Sequence, residues 1–208
     1  MSTALAPEPT RIQGWFNHGQ KILELVKEHR PKVCVELGTW QGASAVPVAR
    51  MIQRWNGTLT CVDTWGGNLD DNGGSMPGQV PIMLLSCARA IVEAGVGAHV
   101  RLIPSMTSEA AKYWAEPIDF LYVDADHGYE GCRADLEAWW PFVKPGGLVI
   151  GDDYDHPRYP GVKQAWDEFE AENNLTLTRH QSNPPLFGGV QMIYGLKPGS
   201  SSPQVVTR

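Results

Sequence analysis

The chain has 208 residues, long enough to bury one sizeable core without disulfide or metal staples. Hydrophobic residues make up 42% and charged residues 19%, which excludes an intrinsically disordered chain. Lys and Arg number 17 against 23 Asp and Glu, a net charge of −6 that offers no electrostatic footprint for a phosphate backbone, so nucleic acid is not expected as a partner.

The start, MSTALAPEPTR, lacks a basic stretch followed by an apolar one, and residues 1–12 read as flexible. No run approaches the roughly 18 apolar residues of a membrane span. A cytoplasmic protein without membrane contact is the expectation. Helical period covers 20–29, and KVCVEL at 32–37 is the first strand. A helix over 44–55 follows, in whose first turn Pro47 is tolerated because its missing N–H is not needed there. LTCVD at 59–63 is the second strand. The stretch 66–81, GGNLDDNGGSMPGQVP, is long and glycine-rich, as expected of a lid that orders over a site. Its Asp70 and Asp71 read as solvated charge.

A helix at 82–95, a strand at 99–103 (HVRLI), a helix over 105–114 and a strand at 118–124 (IDFLYVD) come next. They are followed by a helix at 129–140, a strand at 148–153 (LVIGDD) and a helix at 162–173. Two closing strands, 175–180 and 190–195, are joined by a loop rather than a helix, and its 184–189 portion reads as a second site wall or an oligomer contact. The tail from 197 is rich in Pro, Gly and Ser and is expected to be flexible. Cys34, Cys61, Cys87 and Cys132 have no CxxC spacing and read as small buried hydrophobes.

Alternating strands and helices with continuously apolar strands predict a parallel sheet covered on both faces. The fold class is therefore α/β, a doubly wound three-layer single domain whose seven-stranded, mostly parallel sheet carries an antiparallel hairpin at one edge. In such sheets ligands bind beyond the carboxyl ends of the strands, at the point where strand order reverses. The strands end on Glu36, Asp63, Asp124 and the pair Asp152 and Asp153. One acid at a strand end is as readily a loop or helix cap. Five at one edge predict a cation, a metal or hydroxyl-bearing groups, because crowded carboxylates repel.

The first turn, Glu36-Leu37-Gly38-Thr39-Trp40-Gln41-Gly42, departs from G-x-G-x-x-G in having an acid two residues before the first glycine. That acid disfavours a pyrophosphate and argues against a nicotinamide-dependent oxidoreductase. It suits a phosphate-free ligand bearing an amine and a sulfonium. With Asp63 placed for a ribose diol, the pattern points to S-adenosylmethionine.

Over residues 30–170 the chain resembles class I S-adenosylmethionine-dependent methyltransferases, which have a Rossmann-like sheet. The likeness rests on VELGTWQGAS, on CVDTW, on FLYVDADHGYEGCRADLEAWWPFVKPGGLVIGDDYD and on GVKQAWDEF. The third stretch resembles the small-molecule O-methyltransferase branch with the macrolide sugar O-methyltransferases and cephalosporin-hydroxylase-like proteins. The resemblance implies that Glu36, Gly38 and Ser44 line the methionine side of the cofactor, that Asp63 binds the ribose, and that Ser105 and Met106 lie near adenine. Thr39, Trp65 and Asp124 complete the cofactor-binding set, although a tryptophan at a strand–helix junction, as Trp40 and Trp65 both are, equally packs in the core. Asp124, Asp152 and Asp153 match the positions that bind Mg²⁺ in this branch.

A cation there suits the activation of a hydroxyl, and a neighbouring base would take its proton. His127 is the expected base and Asp124 its rival; the alternative for His127 is a packing or capping role. Tyr154 and His156 lie just beyond the acid pair, and Trp139 and Trp140 read as packing. The expected partner is a hydroxylated small molecule with adjacent oxygens, of sugar or natural-product type. A metal-independent methyltransferase and a non-catalytic S-adenosylmethionine-binding protein remain alternatives. Homo-oligomer formation is expected only from its general frequency.

Overall fold

A computed structural model of the chain describes residues 12, 14–67, 80–181 and 191–199. The expected lid therefore lies outside the described residues except at its two ends, and so do the loop at 184–189 and both chain ends.

The elements run α1 (Gly19–His29), β1 (Val33–Leu37), α2 (Ala45–Ile52), β2 (Thr58–Asp63), α3 (Val80–Glu93), β3 (Val100–Pro104) and α4 (Thr107–Ala111). They continue with β4 (Ile118–Val123), α5 (Tyr129–Trp139), β5 (Val143–Gly151), α6 (Pro160–Glu172), β6 (Thr178–His180) and β7 (Met192–Leu196). The seven strands form one sheet in the order β3-β2-β1-β4-β5-β7-β6. Neighbours from β3 to β5 are parallel, and β7 runs antiparallel to both β5 and β6. This is the expected doubly wound architecture, with strand order reversing between β1 and β4.

Alternation along the strands builds two cores. Val35, Leu37, Leu121, Val123 and Val149 pack with Leu136 and Trp139 of α5 and Trp166 and Phe169 of α6. Cys34, Cys61, Phe120, Tyr122 and Ile150 pack on the other face with Ile22 and Leu25 of α1 and Val48 and Ile52 of α2. Side chains on a strand alternate with period two. Glu36, Asp63, Asp124 and Asp152 each follow a member of the second series by two residues, so all four belong to the α1–α2 side of the sheet.

The sheet hydrogen bonding runs one residue beyond several strands, with Gly38 N–H donating to Val62 O at 2.9 Å, Asp124 N–H to Leu37 O at 2.9 Å and Asp152 N–H to Val123 O at 3.1 Å. Ser105 N–H likewise donates to Asp63 O at 3.0 Å, which explains why α4 starts at Thr107 rather than at 105. The strand β5 starts earlier than its apolar run, because Lys144-Pro145-Gly146 forms an exposed irregularity, with Gly146 at φ 77°, inside the strand. All four cysteines are free and buried. No helix among the described residues is long and apolar enough to cross a membrane.

Candidate active site

The loop between β1 and α2 is built around two acids. Glu36 is enclosed, 2% exposed, and accepts hydrogen bonds from the Ser44 hydroxyl and, at 3.6 Å, from the Cys61 thiol. Burial raises its pKa to about 7 against those hydrogen bonds, which lower it, and Asp63 raises it further. Asp63 reaches across from β2 to hold the loop itself. Its Oδ2 accepts the N–H groups of Thr39 at 2.8 Å and Trp40 at 2.7 Å, and its Oδ1 accepts that of Trp65 at 2.6 Å. A carboxylate offers about four acceptor positions, so Asp63 retains capacity for a ligand hydroxyl.

Gly38 could not be another residue. At φ 81°, a Cβ there would lie 1.9 Å from the carbonyl oxygen of Asp124. The close approach joins the Glu36 turn to the acid following β4 and brings the ends of β1 and β4 together at the switch point. Trp40 and Trp65 both adopt left-handed backbone, at φ 49° and 53°.

Trp65 was expected at the cofactor. It is fully buried among Val46, Ala49, Cys87, Ile91 and Val96, and its indole N–H donates to Trp40 O at 2.6 Å. Its ring therefore presents no surface to the crevice and supports the loop from beneath. Thr39 is likewise enclosed, whereas Met106 is 57% exposed. The Ser105 hydroxyl donates to Met106 O at 3.0 Å.

The profile of a family described as a methyltransferase domain matches residues 35–154, more than half of the chain. The chain belongs to that methyltransferase family. Its likeness to the uncharacterized protein y4gI of Sinorhizobium fredii is 29% identity over 88% of this chain but 20% of that protein. The mimivirus protein R132 shares 34% identity over 26% of this chain and 25% of its own length. The chain thus spans a fifth to a quarter of these curated relatives. Among solved structures, an O-methyltransferase from Bacillus cereus in complex with SAH superposes with a TM-score of 0.67 at 17% identity, over 91% of this chain and 84% of that one. A putative O-methyltransferase from Klebsiella pneumoniae gives 0.68 at 20%, over 90% and 82%. The O-methyltransferase TomG from Streptomyces achromogenes, in complex with SAM, gives 0.64 at 17%, over 90% and 82%. At these identities the likeness is one of fold.

In this methyltransferase domain the second group of acids stands beside the first. Burial, then Asp152, Asp153 and Glu36, push the Asp124 carboxyl well above the usual carboxylate range, with only the Tyr122 hydroxyl working the other way. Tyr122 O–H donates to Asp152 Oδ2 at 2.6 Å and lies 3.4 Å from Asp124 Oδ2. Asp153, at φ 54°, leaves the strand and sets Oδ2 3.3 Å from His127 Nε2. The His127 ring stacks on Tyr159 at 4.2 Å, and His156 stacks on the same tyrosine at 4.7 Å. Tyr154 is buried, donates to Asp167 and accepts from Lys163 and Arg179 at 3.2–3.3 Å, which pins the loop behind the acid pair. Hollows of about 570 Å³ beside Tyr194 and about 440 Å³ beside Asp119 contain none of the strand-end acids.

Two site residues escaped the sequence reading. Tyr122 lies two positions before Asp124 on the same strand face, a signal that was available from period two. His18, 3% exposed, precedes α1 with Nε2 3.7 Å from Asp152 Oδ1 and its ring edge-on to His180. Only the tertiary fold brings it there.

Proposed function

We propose that this domain transfers a methyl group from S-adenosylmethionine to a hydroxyl of a small molecule carrying adjacent oxygens, such as a sugar or natural product, with a divalent cation at the strand-end acids. The observation that carries the reading is the junction at Gly38, where the buried acid beside a glycine turn abuts the carboxylate cluster of Asp124. The bound SAM and SAH named for the Bacillus and Streptomyces structures of the same fold support the cofactor.

S-adenosylmethionine supplies an electrophilic sulfonium methyl for in-line attack by an oxygen. Glu36, charged when it faces the cofactor's amine, binds the methionine end with Ser44 holding its carboxylate in place. Gly38 allows the backbone to approach, Asp63 takes the ribose while fixing Thr39 and Trp40, and Ser105 and Met106 lie on the adenine side. These contacts align the methyl with the acceptor, which is where most of the acceleration arises.

The acid cluster fits a cation. Crowded carboxylates, one of them with its pKa raised mainly by desolvation, favour protonation unless a positive charge joins them. A divalent ion, when bound, lowers the pKa of a hydroxyl and fixes its direction. A set drawn from Asp124, Asp152 and Asp153 alone would take Mg²⁺. Asp124 and His127 are the groups beside the acceptor that can take its proton.

Labelled S-adenosylmethionine offered with a panel of catechols, sugars and polyols tests the reading. Transfer to a hydroxyl that stops with chelator and returns with added divalent ion supports it. Transfer indifferent to chelator moves the domain to the metal-independent reading, and failure to bind S-adenosylhomocysteine removes the activity altogether.

A further inference from the structure

Met106 is a large apolar side chain left exposed just beyond β3, and both of its neighbours are pinned. On one side, Ser105 N–H donates to Asp63 O at 3.0 Å, so the turn after β3 hangs from the backbone of the acid read as the ribose ligand. On the other, the Thr107 hydroxyl donates to Asp135 Oδ1, and the Thr107 carbonyl accepts the indole N–H of Trp139 at 3.1 Å. Met106 O itself accepts the Ser105 hydroxyl and the Ala110 N–H, each at 3.0 Å. Asp135 and Trp139 are four residues apart on α5 and so lie on one face of it. That face holds both polar groups of a single threonine. Trp139 is fully buried and braced by Trp114 and Phe142, with ring centroids 5.4 and 6.4 Å away.

The fold's own stability does not account for Asp135. It is 2% exposed, and its Oδ2 has no hydrogen-bond partner among the described residues. Burial raises its pKa to about 7 against the Thr107 bond, which lowers it, and Asp126 raises it further. A buried acid with one oxygen unpartnered costs stability when ionised, and an apolar side chain would pack there without that cost. What the acid does hold is Thr107, beside the exposed Met106.

We propose that Asp135, with Trp139, is a positioning residue for the cofactor, fixing Thr107 so that the Ser105–Met106 turn presents the Met106 side chain as one face of the adenine pocket. The inference rests on the reading of that turn as the adenine side of an S-adenosylmethionine site. A thioether side chain adapts to an irregular surface and makes favourable contacts with aromatic rings. A turn free to move would lose part of that contact to the entropy of ordering it at each binding event, and the clamp from α5 supplies the order in advance.

The test sets S-adenosylhomocysteine affinity, by calorimetry, against urea unfolding at pH 8, on the full chain. Thr107→Val combined with Asp135→Leu replaces both partners by apolar groups of similar size, a change that is close to neutral or stabilising because neither polar group is left buried alone. The double variant should keep or raise the urea midpoint and yet bind S-adenosylhomocysteine roughly 3- to 30-fold more weakly, as expected of residues that act on a site without touching its ligand. Methylthioadenosine, which has the adenine and ribose but not the amino acid, should lose the same factor in competition. Thr107→Ser, which keeps the hydroxyl, should bind as wild type does. Affinity within about twofold of wild type in the double variant overturns the proposal. So does a midpoint that falls in step with the affinity, which would assign Asp135 to the fold alone, or a loss that methylthioadenosine does not share. If the double variant fails to fold, Thr107→Val against Thr107→Ser decides: weaker binding in the first alone supports the clamp, and equal affinities overturn it. A wild-type chain that binds no S-adenosylhomocysteine removes the cofactor reading and the clamp together, whereas wild-type binding that the double variant retains removes the clamp alone.

Discussion

Replacing Glu36 with Gln should make the protein more stable at pH 8 while weakening its hold on the cofactor. The carboxyl is enclosed, and burial is the main reason its pKa rises from 4.5 to about 7. In the unfolded chain it ionises near its ordinary value. Between about pH 4.5 and 7 the folded state therefore keeps a proton that the unfolded state has released, and stability falls as pH rises through that window. At roughly 1.4 kcal/mol per pH unit the loss is about 3 kcal/mol by pH 8. Gln keeps an oxygen for the Ser44 hydroxyl and has no charge to bury, so the variant should lack this slope. Asp135, buried in α5, is also raised to about 7, mainly by burial. It superimposes a similar slope on both proteins, so the difference between them is what isolates Glu36. Urea unfolding should place Glu36→Gln within about 1 kcal/mol of wild type at pH 5 and about 2–3 kcal/mol above it at pH 8. A difference that does not change with pH, or that changes sign the other way, would refute the reasoning.

Gly38→Ala forces a Cβ to within 1.9 Å of the Asp124 carbonyl oxygen at φ 81°; it should cost roughly 2–4 kcal/mol in urea unfolding and abolish S-adenosylhomocysteine binding by calorimetry. Trp65→Phe removes the indole bond to Trp40 O and opens a cavity beneath the loop. A loss of roughly 2–4 kcal/mol is expected, and a midpoint unchanged in urea would contradict the packing role. Tyr122→Phe strips the hydroxyl from Asp152; it should lower stability by roughly 1–3 kcal/mol at pH 7 in urea unfolding, and an unchanged midpoint would contradict the role given to that hydrogen bond.

Much of this organisation is legible in the chain itself. The strand runs ending at Leu37, Asp63 and Val123 are readable because each is rich in apolar and β-branched residues and has an acid at or beside its end, and period two places Glu36, Asp63 and Asp124 on one face. The parallel sheet follows from the alternation of strands and helices, whereas the order β3-β2-β1-β4-β5 that sets Glu36 beside Asp124 is fixed by the tertiary fold. Less readable are features fixed by contacts between distant segments. The three loop N–H groups held by Asp63 are invisible in CVDTW, and so is the burial of Trp65 by α3. The helix at α4 starts later than its composition implies because Ser105 is drawn into the sheet. At the acids, the sequence shows Asp152 and Asp153 as an equal pair. It is the left-handed backbone of the second, with Tyr122 and the Asp153 N–H holding the first, that gives them different surroundings.

Thermal unfolding with S-adenosylhomocysteine, S-adenosylmethionine and NAD in turn, on wild type and Glu36→Gln, tests the central claim most directly. At about a hundred times its dissociation constant a specific ligand adds roughly 2.7 kcal/mol. The account predicts that both adenosyl ligands raise the wild-type midpoint, that the rise shrinks in Glu36→Gln, and that NAD does nothing. A midpoint unmoved by either adenosyl ligand, or raised by NAD alone, would contradict it.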